Sequence, residues 1–351
     1  MTATRRAFVT GVTGQDGAYL VRLLAEKDYR IFGMMPHSTR YAFGNLDYLG
    51  VTDRVEIVEA DMNDEAALIH AVRRTAPDEI YNLAAQSFVG ISWDQPVLTA
   101  EVNALGVVRL LEAMRYFAPR ARFYQASTSE MFGNANRAGI QTENTPFQPR
   151  SPYAIAKLYA FWIVNNYRDS YGMFCVNGIL FNHESPIRGE EFVTRKFSLG
   201  AARISLGVGE RIGLGNLDSK RDWGFAGDYV EAMWLMMQHR APDNYIVSTG
   251  ETHSVRDFVE AAFHHVGIRN WKDHVYIDPA FKRPSELMTL QGRSTKVQRK
   301  LRWKPKVKFD ELVRMMVDAD LARVRDQIAR QPDPIRPPRP AKTGRPVKGR
   351  R

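Results

Sequence analysis

Through its first half the chain alternates short, nearly unbroken apolar runs with longer stretches whose apolar residues recur at helical spacing. "AFVTG" (7–11), "RIFGMM" (30–35), "VEIVEAD" (55–61), "EIYNLAA" (79–85) and "RFYQAS" (122–127) predict strands. Between them "AYLVRLLAEK" (18–27), "DEAALIHAVRR" (64–74) and "VNALGVVRLLEAMRYF" (102–117) predict helices. Strands this apolar are covered on both faces, so the alternation predicts an α/β fold, a doubly wound, Rossmann-like parallel sheet. A helix over 152–172, closed by Gly172, and a strand over 175–181 extend it. Beyond Asn182 the pattern turns irregular, rich in Gly, Pro and charge. A helix at 226–238 and a strand at 244–250 read as returning to the sheet. The predicted division is residues 1–181 plus about 220–250 for the Rossmann-like sheet domain, and about 182–219 plus 251–327 for a smaller, discontinuous C-terminal domain.

The first strand runs into "VTGVTGQDG", with Gly11, Gly14 and Gly17. Three glycines let the backbone turn tightly and approach a pyrophosphate seated on the next helix's N-terminus. A glycine triplet alone is weak evidence; strand before, helix after and a β-α-β run give it the context it needs. NAD binders place an acid at the end of the second strand. Here that strand ends "GMMPHSTR", so His37, Ser38, Thr39 and Arg40 are candidates to accept a 2′-phosphate, which leans towards NADP. Asp61 is placed to hold adenine, or only to cap the helix that follows, since "DMNDE" is also good capping chemistry.

Tyr153 and Lys157 stand four apart in "SPYAIAKLYA", on one face of a helix. An ammonium beside a phenol favours the phenolate, so the pair predicts a tyrosine pKa drawn down towards neutrality and a base for a sugar hydroxyl. Tyr-x-x-x-Lys alone is a common helix-surface pair; after a glycine turn and four more β/α units it reads as catalytic. "QASTSEMFG" ends the preceding strand, and doubly wound sheets bind ligands at the carboxyl ends of strands. Thr128 is placed to hydrogen-bond the reacting hydroxyl. Glu130 is more than a dehydrogenase needs. A carboxylate there can take the proton alpha to a new ketone and help expel a neighbouring hydroxyl. On its own it reads equally as a local cap or ion-pair partner.

These stretches, with "PRSPYAIAKLYAFWIVNNYR", "NGILFNHESPIRGEEFVTRK" and "LGNLDSKRDWGFAGDYVEAMWLMMQ", resemble the extended short-chain dehydrogenase/reductase superfamily and, within it, the GDP-mannose 4,6-dehydratase family. The resemblance runs from about residue 6 to about 325. It implies an NADP-dependent lyase that oxidises GDP-mannose at C4, eliminates water across C5–C6 and returns hydride to C6, with Thr128, Glu130, Tyr153 and Lys157 as its catalytic groups. It implies cofactor contacts at Gly11, Gly14, Gln15, Asp16, Gly17, Arg40, Asp61, Met62, Leu83, Ala84, Ala85, Gln86, Ser87, Tyr153, Lys157, His183 and Arg188. It implies GDP-sugar contacts at Ser87, Asn182, Thr194, Lys196, Gly215, Arg221, Arg283 and Glu286. A homodimer or homotetramer is implied as well. The chain departs from the family's pattern where paired arginines follow the second strand: Pro36 to Thr39 stand there, which leaves NAD as the alternative cofactor. Leu98 replaces an aromatic, and "LQGR" puts Arg293 where the family has an acid. The rival reading is a 4,6-dehydratase or epimerase acting on another NDP-hexose.

Charge changes this picture little. The net charge is +10, but residues 330–351 hold eight Lys/Arg against one Asp, so the rest carries only +3. That tail, with six prolines, reads as disordered, and nucleic acid is not an expected partner. The lone Cys175 excludes an internal disulfide. "MTATRRAFVTG" does not read as a signal peptide, no run is long and apolar enough for a membrane span, and the cytoplasm is the expected compartment. No metal-ligand spacing surrounds His183, and no metal site is expected.

Overall fold

A computed structural model describes residues 4–38, 42–134, 139–279 and 287–330. In chain order β1 (Arg6–Thr10), α1 (Gln15–Ala25), β2 (Arg30–Met35), α2 (Gly44–Tyr48), β3 (Val55–Glu59), α3 (Glu65–Thr75) and β4 (Glu79–Asn82) form the first half of the sheet and its helices. Next come α4 (Pro96–Ala100), α5 (Gly106–Phe117), β5 (Arg122–Thr128), α6 (Pro152–Tyr171) and β6 (Phe174–Leu180). β7 (Asn182–Glu184), α7 (Val193–Ser205), β8 (Ile212–Leu214), β9 (Lys220–Arg221) and β10 (Trp223–Phe225) precede α8 (Ala226–Gln238) and β11 (Asn244–Val247). β12 (His253–Ser254), α9 (Val255–His265), β13 (Val275–Ile277), β14 (Thr289–Leu290), α10 (Thr295–Leu301) and α11 (Phe309–Arg330) close the chain.

Seven strands, all parallel, pair in the order β11-β6-β5-β4-β1-β2-β3. The order reverses between β1 and β4, the point where such sheets open a ligand crevice. Successive strand residues bury on opposite faces. Ala7 and Val9 pack with α1 and α8, whereas Phe8 joins Ile80 and Phe123 under α3, α5 and α6. A further core lies outside the sheet, where Phe197, Trp223, Phe258, Phe263, Val313 and Met316 bring α7, α9 and α11 together.

Several predicted boundaries shift, each for a local reason. α1 starts at Gln15, inside the glycine turn, and ends at Ala25. β4 stops at Asn82 because the amides of Leu83 and Ala84 leave the ladder for the Thr10 hydroxyl, both at 3.0 Å. β11 stops at Val247 because Thr249 and Gly250 give their amides to Asp222. The helix predicted over 102–117 continues back to Pro96 and carries a π-helical segment, Glu101–Leu105. That turn aims Asn103 at the cleft-side loop, where its side chain bonds both the amide and the carbonyl of Gln86. Ser151 caps α6 with Pro152 in its first turn, and Gly172 ends it at φ 64°. The basic tail beyond Arg330 lies outside the described residues. No helix among the described residues is long and apolar enough to cross a membrane.

Candidate active site

A cleft of about 970 Å³ opens at the carboxyl ends of β1, β4, β5 and β6 and is closed over by residues from β7 to β10. Its floor is the turn after β1. Gly11 has φ +65°, and a Cβ there would lie 2.9 Å from the amide nitrogen of Ala84. A Cβ on Gly17 would lie 2.5 Å from the Gly11 carbonyl oxygen. Both glycines are therefore required by close backbone approach. Gly14 caps α1 without any side-chain acceptor, so the helix's first amides open on the cleft.

Gln15 and Asp16 line the cleft, but their side chains brace this turn against the segment after β6. Gln15 Nε2 donates to Asp16 Oδ1 and to the His183 carbonyl, both at 3.1 Å, and its Oε1 accepts from Ser185 at 2.7 Å. His183 meets Asp16 Oδ2 through Nε2 at 2.8 Å and the Phe181 carbonyl through Nδ1 at 2.8 Å, and its ring stacks on Tyr229. Both ring nitrogens face acceptors, so both carry protons and His183 is an imidazolium. Burial opposes charge on each partner, yet the pairing wins: Asp16 is held below the usual carboxylate range and His183 above the usual imidazole value. No cluster of His, Cys, Asp or Glu among the described residues can hold a metal.

Thr128, Glu130, Tyr153 and Lys157 converge on the same cleft wall. Thr128 ends β5; its Oγ1 accepts the Glu130 amide at 3.2 Å, and its hydroxyl favours the ionised form of the Tyr153 phenol. Lys157 Nζ is buried and donates to the Ala126 carbonyl at 3.0 Å. The expectation that lysine draws the phenol towards neutrality is overturned. Burial pushes Tyr153 up to about 12, helped by the nearby Glu130 charge and only partly offset by Thr128. Lys157 itself falls to about 8, because burial penalises its charge more than Asp16 restores it. Its ammonium lies 6.0 Å from the Tyr153 ring centroid and is spent on the Ala126 carbonyl.

Leu83, Ala84, Ala85, Ser87 and Arg188 also line the cleft. Asp61, Met62 and Gln86 do not: Asp61 accepts the Asn63 amide at 2.8 Å, Met62 is buried against Gly106, and the Gln86 side chain donates to the Phe88 carbonyl. Asp64, not Asp61, caps the next helix. Across the cleft stand Asn182, Thr194, Lys196, Gly215 and Arg221. Burial lowers the Lys196 pKa, with Asp278 opposing. Thr39, Arg40, Arg283 and Glu286 lie outside the described residues. His37 Nδ1 sits 2.9 Å from Glu59 Oε2, a carboxylate supplied by β3 rather than β2. Leu98 is exposed on α4, and the Arg293 amide joins Gln141.

Sequence reasoning missed Glu184, buried between Thr194 Oγ1 at 2.6 Å and Arg188 Nε at 3.1 Å, the latter without the alignment of a hydrogen bond. Its signal was present as the acid following His183. It also missed the aromatic mouth, where Phe88 meets Phe192 edge-on at 6.0 Å.

Switch-point cleft, glycine turn and a Tyr/Lys helix together define an extended short-chain dehydrogenase/reductase. UDP-glucose 4-epimerase from Thermus thermophilus, solved in complex with NAD, shares 29% identity and superposes with a TM-score of 0.77 over 90% of this chain and 98% of its own. A sequence model of the GDP-mannose 4,6 dehydratase family matches residues 8–316, and the chain belongs to that family. The human GDP-mannose 4,6 dehydratase is 47% identical over 343 residues, covering 91% of this chain and 92% of its own. The Sinorhizobium fredii GDP-mannose 4,6-dehydratase is 46% identical over 348 residues, 93% of this chain and 99% of its own.

Proposed function

We propose that the protein is a GDP-mannose 4,6-dehydratase, removing water from GDP-D-mannose to give GDP-4-keto-6-deoxy-D-mannose. One observation carries this reading: Glu130 lines the same cleft as Tyr153 and Lys157, two residues after Thr128, whose hydroxyl oxygen accepts the Glu130 amide. Chemistry at C4 alone needs only the phenol, lysine and threonine; elimination across C5–C6 needs the further carboxylate.

A nicotinamide dinucleotide fits the turn after β1, where Gly11 and Gly17 admit no Cβ and the uncapped α1 amides suit a pyrophosphate. When bound, it would supply a hydride acceptor for C4 of the hexose and a hydride donor for C6. NADP is the proposed form, with NAD as the alternative because Pro36 to Thr39 replace the family's arginines. Tyr153, once ionised, takes the proton of the 4-hydroxyl, and Thr128 hydrogen-bonds the same oxygen. Lys157, in its neutral form, is the group that can receive the phenol's proton. The ketone at C4 acidifies the C5 proton, so oxidation precedes elimination. Glu130 removes that C5 proton, protonates the departing 6-hydroxyl, and a proton later returns to C5. Lys196 and Arg221 neutralise the diphosphate, and Ser87, Asn182, Thr194, Gly215, Arg283 and Glu286 complete the proposed substrate set. The segments 182–219 and 251–327 act as the substrate-covering domain.

Incubation with GDP-mannose should produce the alkaline ultraviolet absorbance of a 4-keto sugar. Signal from CDP- or dTDP-glucose but none from GDP-mannose would reassign the substrate. Mass spectrometry of the co-purifying nucleotide separates NADP from NAD. A homo-oligomer is part of the proposal. Ile155, Tyr159 and Trp162 expose 58%, 45% and 58% of their surface on one side of α6, beside Val97 at 75% on α4, and a second copy suits such an apolar face. Trp162→Glu should shift the sedimenting species towards monomer. The cytoplasm is the proposed compartment.

A further inference from the structure

Behind the cleft, on the far side of α7, two opposite charges are buried. Arg195 is 5% exposed and Asp320, on α11, is 0% exposed. Arg195 Nε lies 2.9 and 3.0 Å from the two carboxylate oxygens and its Nη2 lies 2.8 Å from Oδ1. Ser198 Oγ donates to Oδ2 at 2.7 Å, and Arg323 Nη1 reaches Oδ1 at 2.9 Å. The fork has one arm left. Arg195 Nη1 donates to the main-chain carbonyl of Arg188 at 2.8 Å. Arg188 stacks 3.5 Å over the Phe192 ring and pairs with Glu184, which also takes the Thr194 hydroxyl. Arg188, Phe192, Thr194 and Lys196 all line the cleft. Arg195 stands between the last two in sequence and points away to Asp320.

Helix docking does not explain the pair. α7 and α11 already meet through Phe197, Ala201, Val313 and Met316, and a buried ion pair is often no better for stability than apolar residues of similar volume. What apolar side chains cannot do is grip a carbonyl. We propose that Asp320 is a positioning residue. Acting through Arg195, it fixes the loop between Ser185 and Phe192, and so sets where Arg188 stands in the cleft. This rests on the reading that the cleft binds a dinucleotide and a sugar nucleotide.

The test uses the full chain and measures NADP and GDP-mannose dissociation constants, KM, kcat and melting temperature. Asp320→Asn keeps the shape and removes the charge. It should weaken NADP binding about tenfold or more while kcat at saturation stays within about threefold. Arg195→Lys keeps the charge but not the fork, and should weaken binding to a smaller extent. Should Asp320→Asn fail to fold, Arg195→Lys carries the same test. In an Arg188→Ala background the Asp320→Asn effect on NADP should largely vanish, because both changes act on one contact. Variants that melt earlier yet keep wild-type dissociation constants would reduce the pair to a structural role and overturn the proposal. Full additivity with Arg188→Ala would overturn it too. A wild-type chain that binds neither ligand would overturn the cleft reading along with it.

Discussion

Tyr153 and Arg221 line one cleft, yet they are held there by different means. Tyr153 stands near the start of a twenty-residue helix packed on β5 and β6, and its neighbours Thr128 and Glu130 follow directly from a strand in a seven-stranded ladder. Arg221 sits on a two-residue strand between β12 and β14, each also two residues long. Ladders that short do not hold themselves. The cap is tied instead by buried carboxylates. Asp222 takes Thr249 through its amide at 2.8 Å and its hydroxyl at 2.6 Å, then the amides of Gly250 at 2.9 Å and Gly292 at 3.3 Å. Asp228 takes the amides of Lys306 and Val307, and Asp320 holds Arg195. On the sheet side, then, a side chain can change without moving its neighbours. On the cap side one carboxylate places several segments, and its loss should appear as binding and stability together.

The largest expected effect tests the sheet side. Glu130→Gln should cut dehydration by about 10²–10⁴-fold, the usual contribution of a positioned acid–base group. Melting should shift little, since the Thr128–Glu130 bond uses the backbone amide and survives the change. The nicotinamide dinucleotide should still bind. Product formation and deuterium exchange at C5 report it directly. Turnover near the wild-type rate would remove Glu130 from the mechanism and with it the contrast between the two walls.

Next comes the protonation of the Tyr153–Lys157 pair. Lys157 stands at about 8 and the phenol at about 12, so the lysine's proton is the first of the two to leave. Below about 8 the pair keeps both protons, and the reaction needs one of them gone. kcat/KM should therefore rise roughly tenfold per pH unit up to about 8 and level off above it. In Lys157→Met the break near 8 should disappear, and the rate at neutral pH should fall on the order of 10²-fold. A break that persists would assign it to another group.

The same contrast explains what the chain disclosed before its structure. β2 and α8 fall where periodicity places them, Arg30–Met35 and Ala226–Gln238, because apolar spacing reports burial and these elements are buried by the sheet. α7, α9 and α11 went unread beyond Asn182, though α11 runs from Phe309 to Arg330. Their apolar faces pack on one another, with few strands between to mark a rhythm. The residues proposed as catalytic were legible through spacing and resemblance. The phenol's shift was not, since spacing alone does not reveal that Lys157 spends a donor on Ala126. Nor does a lone Asp in "KRDWG" announce that it gathers Thr249, Gly250 and Gly292.

Asp222→Asn tests the cap at smaller scale. The amide keeps a single acceptor oxygen, so it cannot accept from Thr249 and from the Gly250 and Gly292 amides together, and the variant should lose about 1.5–3 kcal/mol. KM for GDP-mannose should rise through Arg221, while kcat stays close to wild type. Burial pushes the Asp222 carboxyl up to about 6, against its own amide donors. An acid whose folded pKa lies above the unfolded value of 3.8 holds its proton longer in the native state. Its contribution to stability therefore falls as pH rises from about 4 to about 6, and is constant above. Wild-type minus Asp222→Asn unfolding energies should trace that slope.

The smallest change sharpens the point. Thr249→Val removes only the hydroxyl that donates to Asp222 at 2.6 Å and keeps the Thr249 amide bond to the same oxygen. It also ends the hydroxyl's weaker contacts with the amide and carbonyl of Glu251. About 1 kcal/mol of stability should go. That hydroxyl favours the ionised carboxylate, so its loss should move the break near 6 to higher pH, measured as the same difference in unfolding energy. A break that stays in place would mean that Asp222 is governed by its burial and its amides alone, and that the cap is tied by backbone geometry rather than by side-chain charge.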